Sequence, residues 1–219
     1  MTKIDWDSRG RRVYEGGLDR VVLYTKDSPG VPWFGVASIN EQGNDGKIKS
    51  YYMDGIKYLM VSSYEEFGAS ISAVNYPPEF APCIGEKQLA FGLTATRQRR
   101  EMFGLSYRTL IGSDTQDLGM GYKIHMVYNA MVSPASIAHS TLRESVSLQS
   151  YSWRIDTKPI PFPGVQALSH LVIDSREVEK ETLLYLESFI YGSEEEDPVQ
   201  LQPGQILTIL SGYELEDAD

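Results

Sequence analysis

The chain has 219 residues, 42% of them hydrophobic, and sets 20 basic side chains against 30 acidic ones for a formal net charge of −10. That length can bury a real core without staples, and β folds of this size often stay a single domain. The acidic balance argues against general affinity for nucleic acid or anionic lipid, and a lone cysteine, Cys83, excludes an intrachain disulfide framework and a cysteine-based zinc site.

Residues 1–12 read as a polar arm with one aromatic, Trp6, and without the apolar core of a signal peptide. No run of about 18 apolar residues occurs, so a soluble chain with no membrane span is expected. Residues 13–24 suit a strand with Gly16-Gly17 as a bulge or bend. Ser28-Pro29-Gly30 is a turn signal that opens a second strand over 31–39, including Trp33. The polar stretch 40–46 has nothing to bury and is expected to be a mobile, exposed loop. Residues 47–53 and 56–62 predict a hairpin across Asp54-Gly55. Over 66–74, Phe67, Ala69, Ile71 and Ala73 alternate with Glu66, Gly68, Ser70 and Ser72, which predicts a further strand. Tyr76-Pro77-Pro78 ends it, and the segment 76–96, broken again at Pro82 and Gly85, is expected to be irregular and functional or laid on a partner.

The strongest pattern lies at 102–132. Two strands, 102–111 and 122–132, each reaching about 30–35 Å, flank a turn-rich connection at 112–121. Strands of that length suggest a sheet whose pairing extends beyond one compact core. Residues 148–157 form another strand, 158–164 a stiff proline-rich linker, and 167–173 one more strand. The period then changes. Asp174 or Ser175 can cap a helix over 174–191, with Val178, Leu183, Leu186, Phe189 and Ile190 as its apolar stripe and Gly192 closing it. A charged turn at 193–198 leads to a short strand at 205–210 and an acidic tail.

Strands without regular strand–helix alternation exclude a doubly wound parallel sheet. The expected fold is mainly β, an antiparallel sandwich or barrel flanked by one helix: an arm at 1–12, a single β-rich domain at 13–212 with extended loops at 40–46 and 76–96, and a tail at 213–219.

The sequence carries no motif for a reaction. His125, His139 and His170 show none of the short ligand spacings, so no metal site is expected. Gly104-Leu105-Ser106-Tyr107-Arg108 lacks the closing glycine and following helix of a nucleophile elbow. No phosphate-cradling glycine loop occurs, and Glu65-Glu66 and the Asp114/Asp117 pair read as solvated surface. Arg97-Gln98-Arg99-Arg100 is a local basic cluster in an acidic chain. The expectation is a non-enzymatic protein without catalytic residues or cofactors. Long strands, long loops and a free arm supply more contact surface than a monomer needs, which points to assembly.

Several blocks of text carry a resemblance. Asp5-Trp6-Asp7, then Gly10-Arg11-Arg12-Val13-Tyr14-Glu15-Gly16-Gly17-Leu18-Asp19-Arg20 and Gly30-Val31-Pro32-Trp33, open the chain. Tyr51-Tyr52-Met53-Asp54-Gly55, Phe103-Gly104-Leu105-Ser106-Tyr107-Arg108-Thr109, Gly121-Tyr122-Lys123-Ile124-His125, Val127-Tyr128-Asn129-Ala130 and Ile173-Asp174-Ser175 follow in order. This text resembles the tail tube (major tail) proteins of long-tailed, siphovirus-type phages of actinobacteria, over roughly residues 5–192. The resemblance implies a virion subunit, assembled in the bacterial host cytoplasm, that forms hexameric rings stacked into a hollow tube. Its partners would be further copies of itself and the tape measure, tail terminator and distal tail proteins. DNA would pass through the lumen during ejection without specific binding, and no membrane would be involved. Within that reading Gln42, Gly43, Asn44 and Asp45 are the expected inter-ring contact, with Trp6 and Trp33 as further contacts between subunits. The alternatives are a minor tail protein, a tail terminator or a tail-tip β-sandwich binding module, the last using Trp33, Tyr51 and Tyr52 as an aromatic patch.

Overall fold

The computed structural model describes residues 7–44, 48–62, 66–135 and 150–212. In chain order the strands are β1 (Val13–Tyr24), β2 (Val31–Pro32), β3 (Val36–Asn44), β4 (Ile48–Met53), β5 (Ile56–Ser62) and β6 (Glu66–Ala73). A 3-10 turn (Pro78–Phe80) and the one-turn helix α1 (Ala81–Ile84) precede β7 (Lys87–Ala90) and β8 (Leu93–Ala95). β9 (Phe103–Ser113), a 3-10 turn (Asp117–Gly119), β10 (Gly121–Val132), β11 (Tyr151–Thr157), β12 (His170–Asp174), α2 (Lys180–Tyr191) and α3 (Pro203–Leu210) complete the chain. The fold is mainly antiparallel β with few helices, as its alternating patterns require.

Two compact units share these elements. One takes the described residues of Met1–Phe34, Phe103–Val127 and His170–Asp219; the other takes those of Gly35–Met102 and Tyr128–Ser169.

In the first unit β1 runs antiparallel to β9, from Val13 opposite Ser113 to Tyr24 opposite Gly104. The register slips between Gly16 and Leu18 and again between Asp19 and Val22. Gly17 and Arg20 sit there with φ of +78° and +48°, so the bulge expected at Gly16-Gly17 is present and a second follows it. β9 neighbours β10, whose first half pairs with β12 through Ile124 and Ile173. The core gathers Leu23, Leu105, Tyr107, Ile111, Ile124 and Met126 from the strands with Leu186, Ile190, Ile206 and Ile209 from the helices.

Helix α2 is fixed to this sheet by polar contacts as well. The Tyr122 hydroxyl donates to Glu187 at 2.6 Å, and Arg108, bidentate on Asp19 at 2.7 and 2.6 Å, lies over the Tyr122 ring. The buried Tyr24 hydroxyl donates to the Ile190 carbonyl at 2.8 Å and therefore accepts from Ser106, 3.1 Å away. Tyr24→Phe leaves that carbonyl and hydroxyl without their partner; an expected loss of about 1 kcal/mol should lower the melting temperature by about 2–4 °C in thermal unfolding.

In the second unit the latter half of β10 pairs with β11, β11 with β6, and β6 with β3. Ala69, Ile71, Trp153, Ile155, Phe80 and Cys83 are buried here. Tyr76, Phe80, Tyr151 and Trp153 pack their rings at centroid distances of 5.3–6.2 Å, edge-to-face except for the Tyr151–Trp153 stack.

Five sequence expectations are corrected. The strand over 31–39 is two pieces, because the chain turns at Trp33–Gly35 with Gly35 at φ +84°. Residues 40–44, expected in a loop, continue β3 opposite β6; Asp45 and Gly46 lie outside the described residues. The segment 76–96 is folded: Gly85 at φ +83° ends α1, and Gly92 at φ +77° turns the β7–β8 hairpin. The predicted helix begins at Lys180 rather than Asp174, since Asp174 still pairs with Lys123 at the end of β12. The Asp174 carboxylate instead accepts from the backbone and guanidinium of Arg176, the hydrogen bond that most lowers its pKa. Finally, 205–210 is helical. Gln202 and Gln205 form a reciprocal capping box and Pro203 sits in the first turn, which places Ile206 and Ile209 on one buried face. The chain therefore carries a second flanking helix where one was expected. Of the other expectations, Trp6, His139, the start of the 148–157 strand and the acidic tail lie outside the described residues.

Candidate assembly surfaces

The β4–β5 hairpin is the most exposed apolar element. Asp54 and Gly55 turn it with φ of +52° and +76°, as a type I′ turn needs. Register pairs run from Lys49 opposite Val61 to Met53 opposite Ile56. Tyr51, Tyr52, Met53, Ile56, Tyr58, Leu59, Met60 and Val61 are all exposed, Tyr52 at 67% and Tyr58 at 68%. A two-stranded ribbon is marginal in water by itself, and an apolar patch of this kind marks a surface that binds something. Lys49 and Lys57 against Asp54 give it a small positive charge on an acidic chain.

β3 precedes the hairpin in the chain, and among the described residues β3 pairs with β6 on one side and stands at the end of its sheet. Gln42 and Gly43 are exposed on that edge opposite Gly68 and Phe67, and the Asn44 backbone continues it opposite Glu66. Asp45 and Trp6 lie outside the described residues. Trp33 is 3% exposed, with its backbone N–H bonded to the Val21 carbonyl at 2.8 Å, so in the folded chain it is a core residue of the first unit. A second apolar tip, Leu89, Phe91 and Leu93 on β7–β8, carries Phe91 fully exposed. Nothing in the text of 76–96 announced it beyond Gly92.

The candidates for chemistry resolve differently. Ser106 is buried within β9 and bonded to Tyr24, so no nucleophile elbow forms. Burial pushes the Cys83 thiol up to about 12, which leaves it unreactive at neutral pH. Asp114 accepts the Gly10 N–H at 2.8 Å and so pins the end of the arm to the β9–β10 connection. In the basic cluster, Arg100 donates to the Ile84 and Val132 carbonyls, a structural role, while Arg97 and Arg99 are exposed.

A histidine cluster in the first unit escaped the sequence reading, because its members are far apart in the chain. His125 faces Val172 and Val127 faces His170, so the two imidazoles are diagonal neighbours across β10 and β12. His125 Nδ1 and His170 Nε2 are 3.1 Å apart. His125 stacks on Tyr107 at 4.5 Å between centroids, with 7° between planes, and its Nε2 lies 3.0 Å from Thr109 Oγ1. Thr109 donates to Glu15 at 2.6 Å, and Lys123 donates to the other Glu15 oxygen. Burial opposes the Glu15 charge, but the hydrogen bonds from Lys123 and Thr109 outweigh it and hold the carboxyl below its usual range.

No protein-family model and no curated protein matches the chain. Among solved structures it is similar to a chain of the anti-feeding prophage (AFP) baseplate, determined by cryo-EM and 6-fold symmetrised, at 6% identity and TM-score 0.39, covering 78% of this chain and 97% of that one. It is also similar to a chain of the PVC sheath/tube terminator of an extracellular contractile injection system in the extended state, at 10% identity and TM-score 0.36, covering 78% and 99%. Likeness at this level assigns no role. Among the described residues no helix is long and apolar enough to cross a membrane.

Proposed function

We propose that this chain is a self-assembling structural protein of a phage-type tail. Within that class we propose the tail tube subunit, forming hexameric rings that stack into a hollow tube for DNA ejection. The resemblance of several text blocks to such proteins supports the reading, and the observation that carries it is the exposed β4–β5 hairpin. An apolar ribbon with a +1 balance of side chains, on a chain of charge −10, fits the acidic surface of a second copy. The contact then takes in Gln42, Gly43, Asn44 and Asp45 together with the exposed Tyr52, Ile56 and Tyr58 of the hairpin. The one-sided edge of β3 suits strand addition by a neighbour, which would also remove an aggregation-prone edge. An acidic lumen would let the phosphate backbone slide past without adhering.

The test is negative-stain electron microscopy with light scattering on the purified chain, across concentration and salt. Hollow tubes or stacked six-fold rings are the expected result. Single rings that never stack would favour a tail terminator. A strict monomer that saturates with a defined ligand would favour a tail-tip binding module and overturn the tube reading.

A further inference from the structure

We propose that His125 and His170 form a binding site for one divalent cation of the imidazole-preferring class, zinc, cobalt or nickel.

The hydrogen-bond chain fixes the ring states. Thr109 Oγ1 spends its one proton on Glu15, so it accepts from His125 Nε2–H. In the neutral ring His125 Nδ1 then carries a lone pair, to which His170 Nε2 donates. A metal taking the place of that shared proton needs its two nitrogens about 3.3 Å apart, from metal–nitrogen bonds of about 2.0–2.1 Å at a tetrahedral angle. The pair already stands at 3.1 Å. The metal displaces the proton held on His170 Nε2 between the two rings.

The surroundings have the outer-shell pattern that metal-bound histidines use. The ring nitrogen of His125 away from the metal is tied through Thr109 to a carboxylate, and the ring plane is set by stacking on Tyr107. His125 is 5% exposed while His170 is half-buried, which gives the ion a route from solvent. Imidazole nitrogen favours zinc, cobalt and nickel over magnesium or calcium, and two protein ligands leave positions open for water. Binding weakens as acid protonates the nitrogens.

The test uses the full chain stripped with chelator and titrated calorimetrically with zinc chloride, cobalt chloride and magnesium chloride. Zinc and cobalt should bind once per chain and magnesium not at all. His170→Gln should weaken zinc binding by at least about tenfold. Long-range 1H–15N spectra of the histidine rings give a readout independent of any variant's folding: His170 Nε2 should lose its proton on zinc addition. Absence of saturable zinc binding, undiminished binding by His170→Gln, or His170 resonances unmoved at full zinc occupancy would each overturn the site.

Discussion

Replacing residues 45–65 by Asn-Gly should give a chain that folds normally and forms no tubes. Asn44 and Glu66 are register partners at the ends of β3 and β6, so a two-residue type I′ turn can join them directly. None of the described side chains of β4–β5 is buried, and the core of this unit at Ile71, Trp153 and Ile155 is untouched. The melting temperature of the monomer should therefore stay within about 2 °C of the parent, since surface changes fall within about ±0.5 kcal/mol. Assembly has the opposite dependence. Burying one of the exposed large apolar side chains is worth about 1.5–3 kcal/mol, and the hairpin presents eight of them. A milder set, Tyr52→Ser with Tyr58→Ser, should raise the concentration needed for assembly by at least about tenfold. Electron microscopy and light scattering at matched concentration check both. Tubes formed by the shortened chain at the parent's concentration would remove the hairpin from the interface.

Much of the strand pattern was legible because its causes are local. Residues 13–24 alternate around two glycines, and β1 has those bounds with slips at and beyond Gly17. Asp54-Gly55 needs two left-handed residues and has them. The failures have tertiary or ambiguous causes. Residues 40–44 are polar because an edge strand faces solvent and one neighbour, and an edge of that composition reads as a loop. In 205–210, Ile206, Leu207, Thr208, Ile209 and Leu210 are apolar or β-branched at nearly every position, so periodicity could not separate strand from helix. Gln202, Pro203 and Gln205 held the deciding signal, a cap that begins four residues upstream of the apolar run.

The surfaces were legible in part for the same reason. The hairpin was visible as a hairpin, and Tyr51 and Tyr52 as a candidate aromatic patch, but the exposure of Leu59 and Val61 beside them was not. Trp33, expected as a contact between subunits, is packed inside the first unit. The histidine pair depends on register between β10 and β12, and a shift of one residue would send the two rings to opposite faces. Such a pair is invisible until the strands are aligned.

Gly112→Ala should markedly destabilise the first unit. A Cβ at this position would stand 2.1 Å from the Asp117 carbonyl oxygen and 2.6 Å from the Tyr14 ring carbon that bears the hydroxyl. Tyr14 lies opposite Gly112 on the paired strand and can swing toward solvent, but the carbonyl cannot. The turn at Asp117–Gly119 is held at both ends, by Ser113 N–H on the Gln116 carbonyl at 3.3 Å and Met120 N–H on the Ile111 carbonyl at 3.1 Å. Relieving the clash must lengthen those bonds or displace the end of β9, where Ile111 is 1% exposed. The expected cost is about 1–3 kcal/mol, a fall of about 3–10 °C in melting temperature. Gly119→Ala is the matched control, since nothing lies within 4 Å of a Cβ there, and it should unfold like the parent. If both variants melted together, the connection would not be pressed against the strand. The close approach of turn to sheet, rather than any freedom of the Gly112 backbone, is what makes the residue irreplaceable.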